Sequence, residues 1–394
     1  MRRLKIVFDA WVLDSRFSHH GTNVYARNVL KHMIAAAREL PEMELCILAP
    51  GEAVNQCLLP GTNPASVVST VFSDNGRSWR LGGMGRRAKQ ASADLVFSPS
   101  CNLFPSRNPP TVCTIHDATP MLMPSHRWTT VMAQRFFVRC AARRAVAIIT
   151  VSERSRKDII EHCGVPGEKV AIIYNGYDRD LFNAAPADLQ EQRALRKRLG
   201  IRNCYAFHHG VMQPRKNLVR LIDAHRLLLS RHRDMQLDLV LAGPLGWQYE
   251  AILRSAQNAR GDRGRVIIVG ALSDSELSLL LKGATIAVIP SLYEGFCLPM
   301  IEAMACGIPT IASQNSCMPE VSGNALLYFD PLSIEEIASA MESVLFNREL
   351  ACRIVAGGLD RVRRFSWERC ARETLDILLQ AATCTSSRLV GVSA

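Results

Sequence analysis

The sequence of 394 residues has few aromatic residues, which make up 6% of it, and no long uninterrupted apolar segment. None of its apolar runs approaches the roughly 20 residues that a transmembrane helix needs, which argues against a membrane-embedded protein. The first residues resemble the start of a signal peptide, but Asp9 and Asp14 interrupt the apolar stretch and no small-residue cleavage site follows. We therefore interpret this stretch as a first β-strand.

The 13 cysteines form no C-x-x-C pair and are scattered along the chain. An odd number leaves at least one thiol unpaired, which is a liability in an oxidising compartment. Several cysteines lie in apolar runs, where cysteine acts as a small hydrophobic residue. This pattern favours reduced thiols in a cytoplasmic protein over disulfides or a zinc site. The ten histidines show no metal-ligand spacing either, so no bound metal is expected.

The formal net charge of +11 is unevenly distributed, because residues 1–182 hold 23 Lys and Arg against 15 Asp and Glu. Within this half, residues 77–90 contain five basic residues, no acidic residue and Trp79, and a second basic cluster follows at Arg135, Arg139, Arg143 and Arg144. Two interpretations stay open: a solvated surface, or a surface that binds anionic lipid. Nucleic acid is not an expected partner, because no recognised binding motif is present and aromatic residues are few.

Short apolar runs alternate with helix-length amphipathic segments from end to end, which predicts parallel sheets with helices on both faces. The predicted strands are 4–9, 43–49, 94–100, 111–117, 145–152 and 169–176, then 204–210, 237–243, 265–270, 284–291 and 308–313. A polar stretch at 183–200 predicts a linker. It separates a first domain (1–182) from a second domain (201–362), and a C-terminal helix and tail (363–394) follow.

The richest motif is IPSLYEGFCLPMIEAMACGIPTIAS at 289–313. A buried strand is followed by a loop with Glu294 and Gly295, and then by a helix that begins near Leu298. Free N–H groups at a helix start attract phosphate, and carboxylates such as Glu294 and Glu302 accept hydrogen bonds from vicinal hydroxyls. For an isolated E-x₇-E pattern, a carboxylate that complements the helix dipole and a solvated glutamate would be the preferred explanation.

A second motif places Arg215 and Lys216 side by side in a loop between a strand and a helix that begins near Asn217. A guanidinium binds phosphate oxygens in a bidentate way, and an ammonium group adds a mobile point charge. Together they could neutralise a pyrophosphate and stabilise it as a leaving group. The alternative is an ordinary basic loop on the surface.

The second half of the chain contains three segments in this order: GVMQPRKNLVRLIDAH, LVLAGPLG and VGALSDSELSLLLKGATIAVIPSLYEGFCLPMIEAMACGIPTIAS. Together they resemble the donor half of retaining glycosyltransferases of family 4. GTNVYARNVL, TIHDATPMLMP, TVSERSRKDI and VAIIYNGYD match landmarks of the same family in the first half. The resemblance implies an α/β architecture of the GT-B type. Two doubly wound, Rossmann-like domains, an acceptor-binding one (1–182) and a donor-binding one (201–362), would face each other across a cleft. A C-terminal helix would cross back onto the first domain.

The resemblance also implies roles for individual residues. Glu294 would contact the transferred sugar, Arg215 and Lys216 the diphosphate, Glu302 the ribose, and His116 the region of the reacting bond. The other implied donor-binding positions are Gly21, Gly210, Gly243, Leu272, Gly295, Phe296, Cys297 and Leu298. The family often has glycine where Cys297 stands, and the cysteine narrows the space for the sugar.

The function implied is transfer of a hexose, with mannose favoured, to a hydroxyl of a saccharide or polyprenyl-diphosphate-linked acceptor in cell-surface polysaccharide assembly. The donor would be GDP-mannose or a UDP-hexose, the anomeric configuration would be kept, and no cofactor is expected. The location would be cytoplasmic, either free or peripheral on the inner face of the membrane. A sugar-nucleotide epimerase on the same fold is the alternative. A dinucleotide oxidoreductase would need G-x-G-x-x-G after the first strand, which GGMG at 82–85 does not match.

Overall fold

A computed structural model describes residues 3–14, 21–40, 42–50, 67–72, 79–101, 106–123, 128–259 and 264–390. The chain divides into two compact units, Met1–Gly176 with Phe365–Ala394, and Tyr177–Arg364. The stretch 183–200, predicted as a linker, lies inside the second unit and contains a helix at Leu189–Arg198. Asp188 starts this helix, because its side chain accepts hydrogen bonds from the first free N–H groups.

The first unit contains a seven-stranded sheet in the order β3-β2-β1-β4-β5-β6-β7, and each recorded pairing is parallel. Its strands are β1 (Leu4–Asp9), β2 (Met43–Pro50), β3 (Val67–Phe72), β4 (Leu95–Ser98), β5 (Thr111–Thr114), β6 (Ala147–Thr150) and β7 (Val170–Ile172). Its first helices are α1 (Gly21–Ala37), α2 (Met84–Gln90), α3 (Thr119–Leu122), α4 (Trp128–Arg144) and α5 (Glu153–Cys163). Strands that are buried on both faces require such a helical cover.

Trp79 does not belong to the basic surface that was considered for residues 77–90. Its side chain is fully buried in the first unit, where Nε1 donates to Asp9 Oδ1 at 3.0 Å. Ser98 donates to the other carboxylate oxygen of Asp9 at 2.9 Å. Residues 77 and 78 lie outside the described residues. The tryptophan therefore belongs to the core at the end of β1, and Asp9 is satisfied by neutral donors.

The second unit contains a six-stranded sheet in the order β10-β9-β8-β11-β12-β13, also paired in parallel. Its strands are β8 (Cys204–His209), β9 (Leu237–Ala242), β10 (Val266–Gly270), β11 (Ile286–Ile289), β12 (Thr310–Ser313) and β13 (Leu327–Phe329). Its helices are α6 (Leu189–Arg198), α7 (Leu218–Arg231), α8 (Glu250–Asn258), α9 (Asp274–Lys282), α10 (Leu298–Ala305), α11 (Met318–Ser322), α12 (Ile334–Phe346) and α13 (Arg348–Val362).

Both sheets have the strand order of a doubly wound fold. The strand order reverses next to the first strand of each sheet, so that later strands are added on the other side of it. In the second unit the reversal lies at β8, which has β9 on one side and β11 on the other. The loops that leave the carboxyl ends of two such neighbouring strands diverge and leave a crevice. The loops after β8 and β11 are therefore the ones that can hold a ligand.

The last helix, α14 (Trp367–Val390), belongs to the first unit although it follows the second one in sequence. It packs against α1, and the rings of Trp367 and Tyr25 lie edge to face at 6.2 Å. Gly176 lies against the backbone at Trp367, where a Cβ would come within 2.1 Å of the amide nitrogen. The predicted return of the C-terminal helix to the first domain is confirmed. No helix among the described residues has the length and apolar character needed to cross a membrane.

Candidate functional site

A carboxylate in the second unit lies between two cations. Glu294 is in the loop after β11, and Arg215 and Lys216 are in the loop after β8. Arg215 Nη1 is 2.6 Å from Glu294 Oε2, and Lys216 Nζ is 2.6 Å from Glu294 Oε1. The Glu294 and Lys216 side chains are 7% and 6% exposed, and that of Arg215 is 18% exposed. The structure thus joins the two predicted motifs at the reversal point of the sheet.

The charges within this triad of Glu294, Arg215 and Lys216 keep the Glu294 carboxylate ionised. Burial alone would raise the pKa of its carboxyl, but the charges of Arg215 and Lys216 outweigh that effect and lower the pKa to about 2. A carboxylate that stays ionised can only accept hydrogen bonds. Glu294 is therefore suited to bind hydroxyl groups, and the two cations beside it are suited to bind phosphate oxygens.

Hydrogen bonds to the backbone fix the loop after β8 against the loop after β11. Arg215 Nη1 donates to the carbonyl oxygen of Tyr293 at 3.0 Å, and the amide of Leu292 donates to the carbonyl oxygen of Arg215 at 2.8 Å. Asn217 has a φ of +59°, and its side-chain amide donates to the carbonyl oxygens of Pro290 and Pro331. Asparagine tolerates the left-handed conformation that ends the short turn before α7.

Two further side chains hold the loop that carries Glu294, and the sequence analysis identified neither. The Ser316 hydroxyl accepts from the Glu294 amide at 3.0 Å and donates to its carbonyl oxygen at 2.7 Å. Asn315 donates to the carbonyl oxygen of Leu292 at 3.0 Å. Both follow β12, so the neighbouring strand positions the loop of β11. Their place directly after a predicted strand was the one available sequence signal.

Glu302 of α10 contacts a histidine at the end of β8. His209 Nε2 lies 2.6 Å from Glu302 Oε2, and the His209 ring stacks on Phe207 with an interplanar angle of 28°. The preceding His208 is buried, and its Nδ1 lies 2.9 Å from the carbonyl oxygen of Val288. Burial, aided by the charge of Lys216, lowers the pKa of His208 to about 3, so that ring is neutral at physiological pH.

The glycines implied in donor binding occupy positions that require glycine for different structural reasons, or do not require it at all. Gly210 and Gly243 follow β8 and β9 with φ of +136° and +132°. A Cβ on Gly243 would lie 2.1 Å from the carbonyl oxygen of Gly210, so backbone approach alone requires glycine there. A Cβ on Gly210 would lie 3.3 Å from Lys216 Nζ, which places this glycine directly at the triad. Gly21 opens α1 in the first unit with nothing within 4 Å of a Cβ.

Cys297 and its neighbours form the entry to α10. Cys297 has a φ of +65°, a conformation that glycine adopts more readily than cysteine, and its side chain is buried. Gly295 and Phe296 are also buried, whereas Leu298, the first residue of the helix, is half-buried. Burial raises the pKa of the Cys297 thiol to about 12, so this cysteine is protonated. Leu272 lies apart from this loop, in the segment between β10 and α9.

His116 lies in the first unit, after β5. Its Nε2 is 2.9 Å from the carbonyl oxygen of Pro99, and its ring meets Tyr25 edge to face at 4.7 Å. Burial lowers its pKa, so the neutral form dominates, with the proton on Nε2 donated to Pro99. The nitrogen that is left to accept a proton or a hydrogen bond is therefore Nδ1.

Among the described residues, no group of three or more His, Cys, Asp or Glu side chains could hold a metal ion. A D-x-D pattern does occur at residues 178–180. Asp178 Oδ1 accepts from the amides of Asp180 and Leu181 at 3.1 and 3.2 Å, so this carboxylate shapes a turn.

Acid is expected to destabilise the second unit through Glu294. Its pKa of about 2 lies below the ordinary value of 4.5, so the unfolded chain binds the proton more readily. The stabilisation is complete above the unfolded-state pKa and is lost as the pH falls towards the folded-state value. Urea unfolding from about pH 6 to about pH 3 should show a shrinking advantage of the wild type over Glu294→Gln. A constant advantage across this range would contradict the assignment.

Comparison with known proteins agrees with this geometry. A family model described as Glycosyltransferase Family 4 matches residues 21–181, and one described as Glycosyl transferases group 1 matches residues 191–360. The "O-antigen chain mannosyltransferase B" of Escherichia coli is 32% identical over 288 residues, which cover 72% of this chain and 74% of that protein. The chain therefore belongs to the family 4 glycosyltransferases, and it is a hexosyltransferase with the GT-B fold.

Two further similarities add detail. The "Serotype-specific mannosyltransferase WbdA" of Escherichia coli is 29% identical over 278 residues, which cover 69% of this chain but 34% of that protein. The chain thus matches about a third of WbdA. The crystal structure of Anabaena Alr3699/HepE in complex with UDP-glucose superposes with a TM-score of 0.72 at 18% identity, covering 96% of this chain and 100% of that one. This second likeness concerns the fold.

Proposed function

We propose that this glycosyltransferase moves a hexose, with mannose favoured, from a nucleoside diphosphate sugar to a hydroxyl of a saccharide or lipid-linked saccharide. Retention of the anomeric configuration and a role in cell-surface polysaccharide assembly are part of the proposal. The observation that carries it is the buried Glu294 between Arg215 and Lys216 at the reversal point of the sheet. The names of the mannosyltransferase relatives and the UDP-glucose complex of HepE support the sugar and the class of donor.

The triad suits both ends of the donor's reacting bond. Arg215 and Lys216 neutralise the diphosphate as it leaves, and preorganised cations are most effective where charge develops. Glu294 accepts hydrogen bonds from the hydroxyls of the transferred sugar, and Glu302 holds the ribose. Gly210 lets the phosphate approach the backbone beside Lys216, because a side chain there would occupy this space. No metal ion is needed in this scheme, since the two cations supply the positive charge.

Retention in this scheme proceeds on one face of the sugar. The bond from the anomeric carbon to the diphosphate oxygen breaks, and the bond to the acceptor oxygen forms on the same side. The leaving phosphate takes the acceptor's hydroxyl proton, so Glu294 does not act as a nucleophile. His116 of the first unit would offer Nδ1 to the substrate as a hydrogen-bond acceptor. Exclusion of water from the bound donor would suppress its hydrolysis.

A cytoplasmic location, at the inner face of the membrane, is part of the same proposal. The 12 cysteines within the described ranges are free thiols, which suits a reducing compartment. Lipid-linked saccharide acceptors would be presented to the enzyme at that face. An epimerase is not favoured, because the matched families and the named relatives are transferases.

A thermal-shift panel of GDP, UDP and their hexose conjugates is expected to identify the donor. At about 100 times its Kd, a donor that binds the folded state adds about 2.7 kcal/mol of stability. GDP-mannose should give the largest shift, and the shift should be lost in Glu302→Gln. The donor should then release its nucleotide in the presence of acceptor and give an α- or β-linkage that matches its own anomer. Interconversion of sugar nucleotides without acceptor would contradict a transferase.

A further inference from the structure

Helix α4 of the first unit presents an apolar stripe to solvent. Trp128, Met132 and Phe136 are 76%, 52% and 55% exposed. Residues four apart lie on one face of a helix, so these side chains follow one another over about two turns. The opposite face is ordinary core, where Val138 and Ala142 pack with Ile159 of α5. The stripe is therefore a second apolar face, and within the described parts of the chain nothing covers it.

The same face becomes basic towards the end of the helix. Arg139 and Arg143 are exposed and lie three and seven residues after Phe136, so they continue the stripe. None of the 17 residues of α4 is acidic. Arg135 is only partly exposed, because its Nε donates to the carbonyl oxygen of Pro120 at 2.7 Å. Arg139 stays exposed, although its Nε donates to the carbonyl oxygen of His162 at 3.5 Å. The exposed face thus combines one aromatic and apolar half with one cationic half.

This combination has the chemistry of an interfacial helix. Tryptophan and phenylalanine lie favourably at the boundary between headgroups and acyl chains, and arginine binds the phosphates above it. A second copy of the chain is a poorer occupant. It would bring the same positive charge, since residues 1–182 carry 23 Lys and Arg against 15 Asp and Glu. An anionic bilayer supplies both the apolar depth and the negative charge that the face lacks.

We propose that the exposed face of α4, formed by Trp128, Met132, Phe136, Arg139 and Arg143, docks the enzyme on an anionic lipid bilayer. This docking surface deepens the proposed function and rests on it in one respect, which is the choice of a lipid-linked acceptor over a free saccharide. The docking surface itself depends only on the exposed side chains and their charges. The five basic residues of segment 77–90 are not required for this docking surface.

Vesicle co-sedimentation tests the docking surface. The full chain is mixed with vesicles of phosphatidylcholine alone, or with about one third phosphatidylglycerol, at about 0.05 M and about 0.5 M salt. We expect at least about tenfold stronger binding to the anionic vesicles at low salt. The triple variant Trp128→Ser/Met132→Ser/Phe136→Ser should lose about tenfold or more in binding. Arg139→Gln/Arg143→Gln should bind both kinds of vesicle equally weakly.

A matched control removes three equally exposed apolar side chains from the second unit. Leu189, Leu332 and Phe346 are 62%, 62% and 60% exposed, and their triple serine variant should bind vesicles as the wild type does. All variants should unfold at the wild-type temperature, because the changed side chains are on the surface. The Trp128 fluorescence should shift to the blue on vesicle addition, and this change should be absent in Trp128→Phe.

Three results would overturn the proposal. The wild type fails to bind anionic vesicles at low salt, the α4 triple variant binds them as the wild type does, or sedimentation shows a dimer that this variant abolishes. Failure of the proposed function is separate. If no sugar nucleotide raises the melting temperature while vesicle binding follows the pattern above, the donor assignment is wrong and the docking surface stands.

Discussion

Replacement of Glu294 by glutamine is expected to lower hexose transfer by about 10²–10³-fold, the size of effect seen when one preorganised polar group is removed from an active site. Glutamine keeps the shape of the side chain. It removes the negative charge and one of the two oxygens that accept hydrogen bonds from the sugar hydroxyls. It also leaves Arg215 and the 6%-exposed Lys216 without their carboxylate. A buried pair that loses one partner is destabilised by about 3–5 kcal/mol, so the second unit should also become less stable.

The two effects can be separated with a double variant. In Lys216→Met/Glu294→Gln the buried charge is removed together with its partner, so much of the lost stability should return. Transfer should stay low, because this variant lacks both the carboxylate that binds the sugar hydroxyls and one of the two cations that bind the diphosphate. Unfolding by urea and transfer at saturating donor, measured on the same samples, distinguish stability from chemistry. Wild-type transfer by correctly folded Glu294→Gln would contradict the site assignment.

Glu342 provides the matched control for this experiment. It also lies between two basic side chains, since its oxygens are 3.2 Å from Arg231 Nη1 and 2.7 Å from His232 Nε2. Its side chain, however, is 34% exposed. An exposed pair contributes at most about 1 kcal/mol, so Glu342→Gln should be nearly as stable and as active as the wild type.

Most strands that were predicted from the sequence are buried along nearly their whole length, because continuous apolar runs are a strong signal. β3 and β13 were missed. VVSTVF contains two hydroxyl residues, and LYF is only three residues long. The helix at Arg348–Val362 was also missed, since Gly357 and Gly358 argue against a helix. In the folded protein a Cβ on Gly358 would lie 3.4 Å from Met304, so glycine lets α13 pack closely on α10.

The candidate site was predictable in its residues and less so in its contacts. Local patterns placed the Arg215–Lys216 pair and Glu294 in loops that follow strands, and the family resemblance gave these residues their roles. The ion pairs between them join residues nearly 80 positions apart, and no local spacing encodes such a contact. For the same reason the contact of Ser316 with the Glu294 backbone, and that of His209 with Glu302, emerged only from the fold.

Gly243→Ala is expected to destabilise the second unit by more than about 4 kcal/mol, an exceptional effect for a single methyl group. The new Cβ would lie 2.1 Å from the carbonyl oxygen and 2.7 Å from the carbonyl carbon of Gly210, and backbone atoms cannot turn away as a side chain can. The φ of +132° is also one that L-residues rarely adopt. Because Gly210 borders Lys216, the displaced backbone should disturb the ion pairs as well, so donor binding should weaken in any folded fraction.

Gly270→Ala is the matched control, because it changes another positive-φ glycine at the end of the neighbouring strand β10. Its φ is +72°, and a Cβ there would meet nothing within 4 Å. The left-handed conformation alone costs an L-residue about 1–2 kcal/mol, so this variant should lose no more than that. Urea unfolding of both variants, with the donor-induced thermal shift as a second measurement, compares backbone clash with conformational cost. Equal losses at the two positions would show that the conformation of Gly243, and not its approach to Gly210, requires glycine at the site.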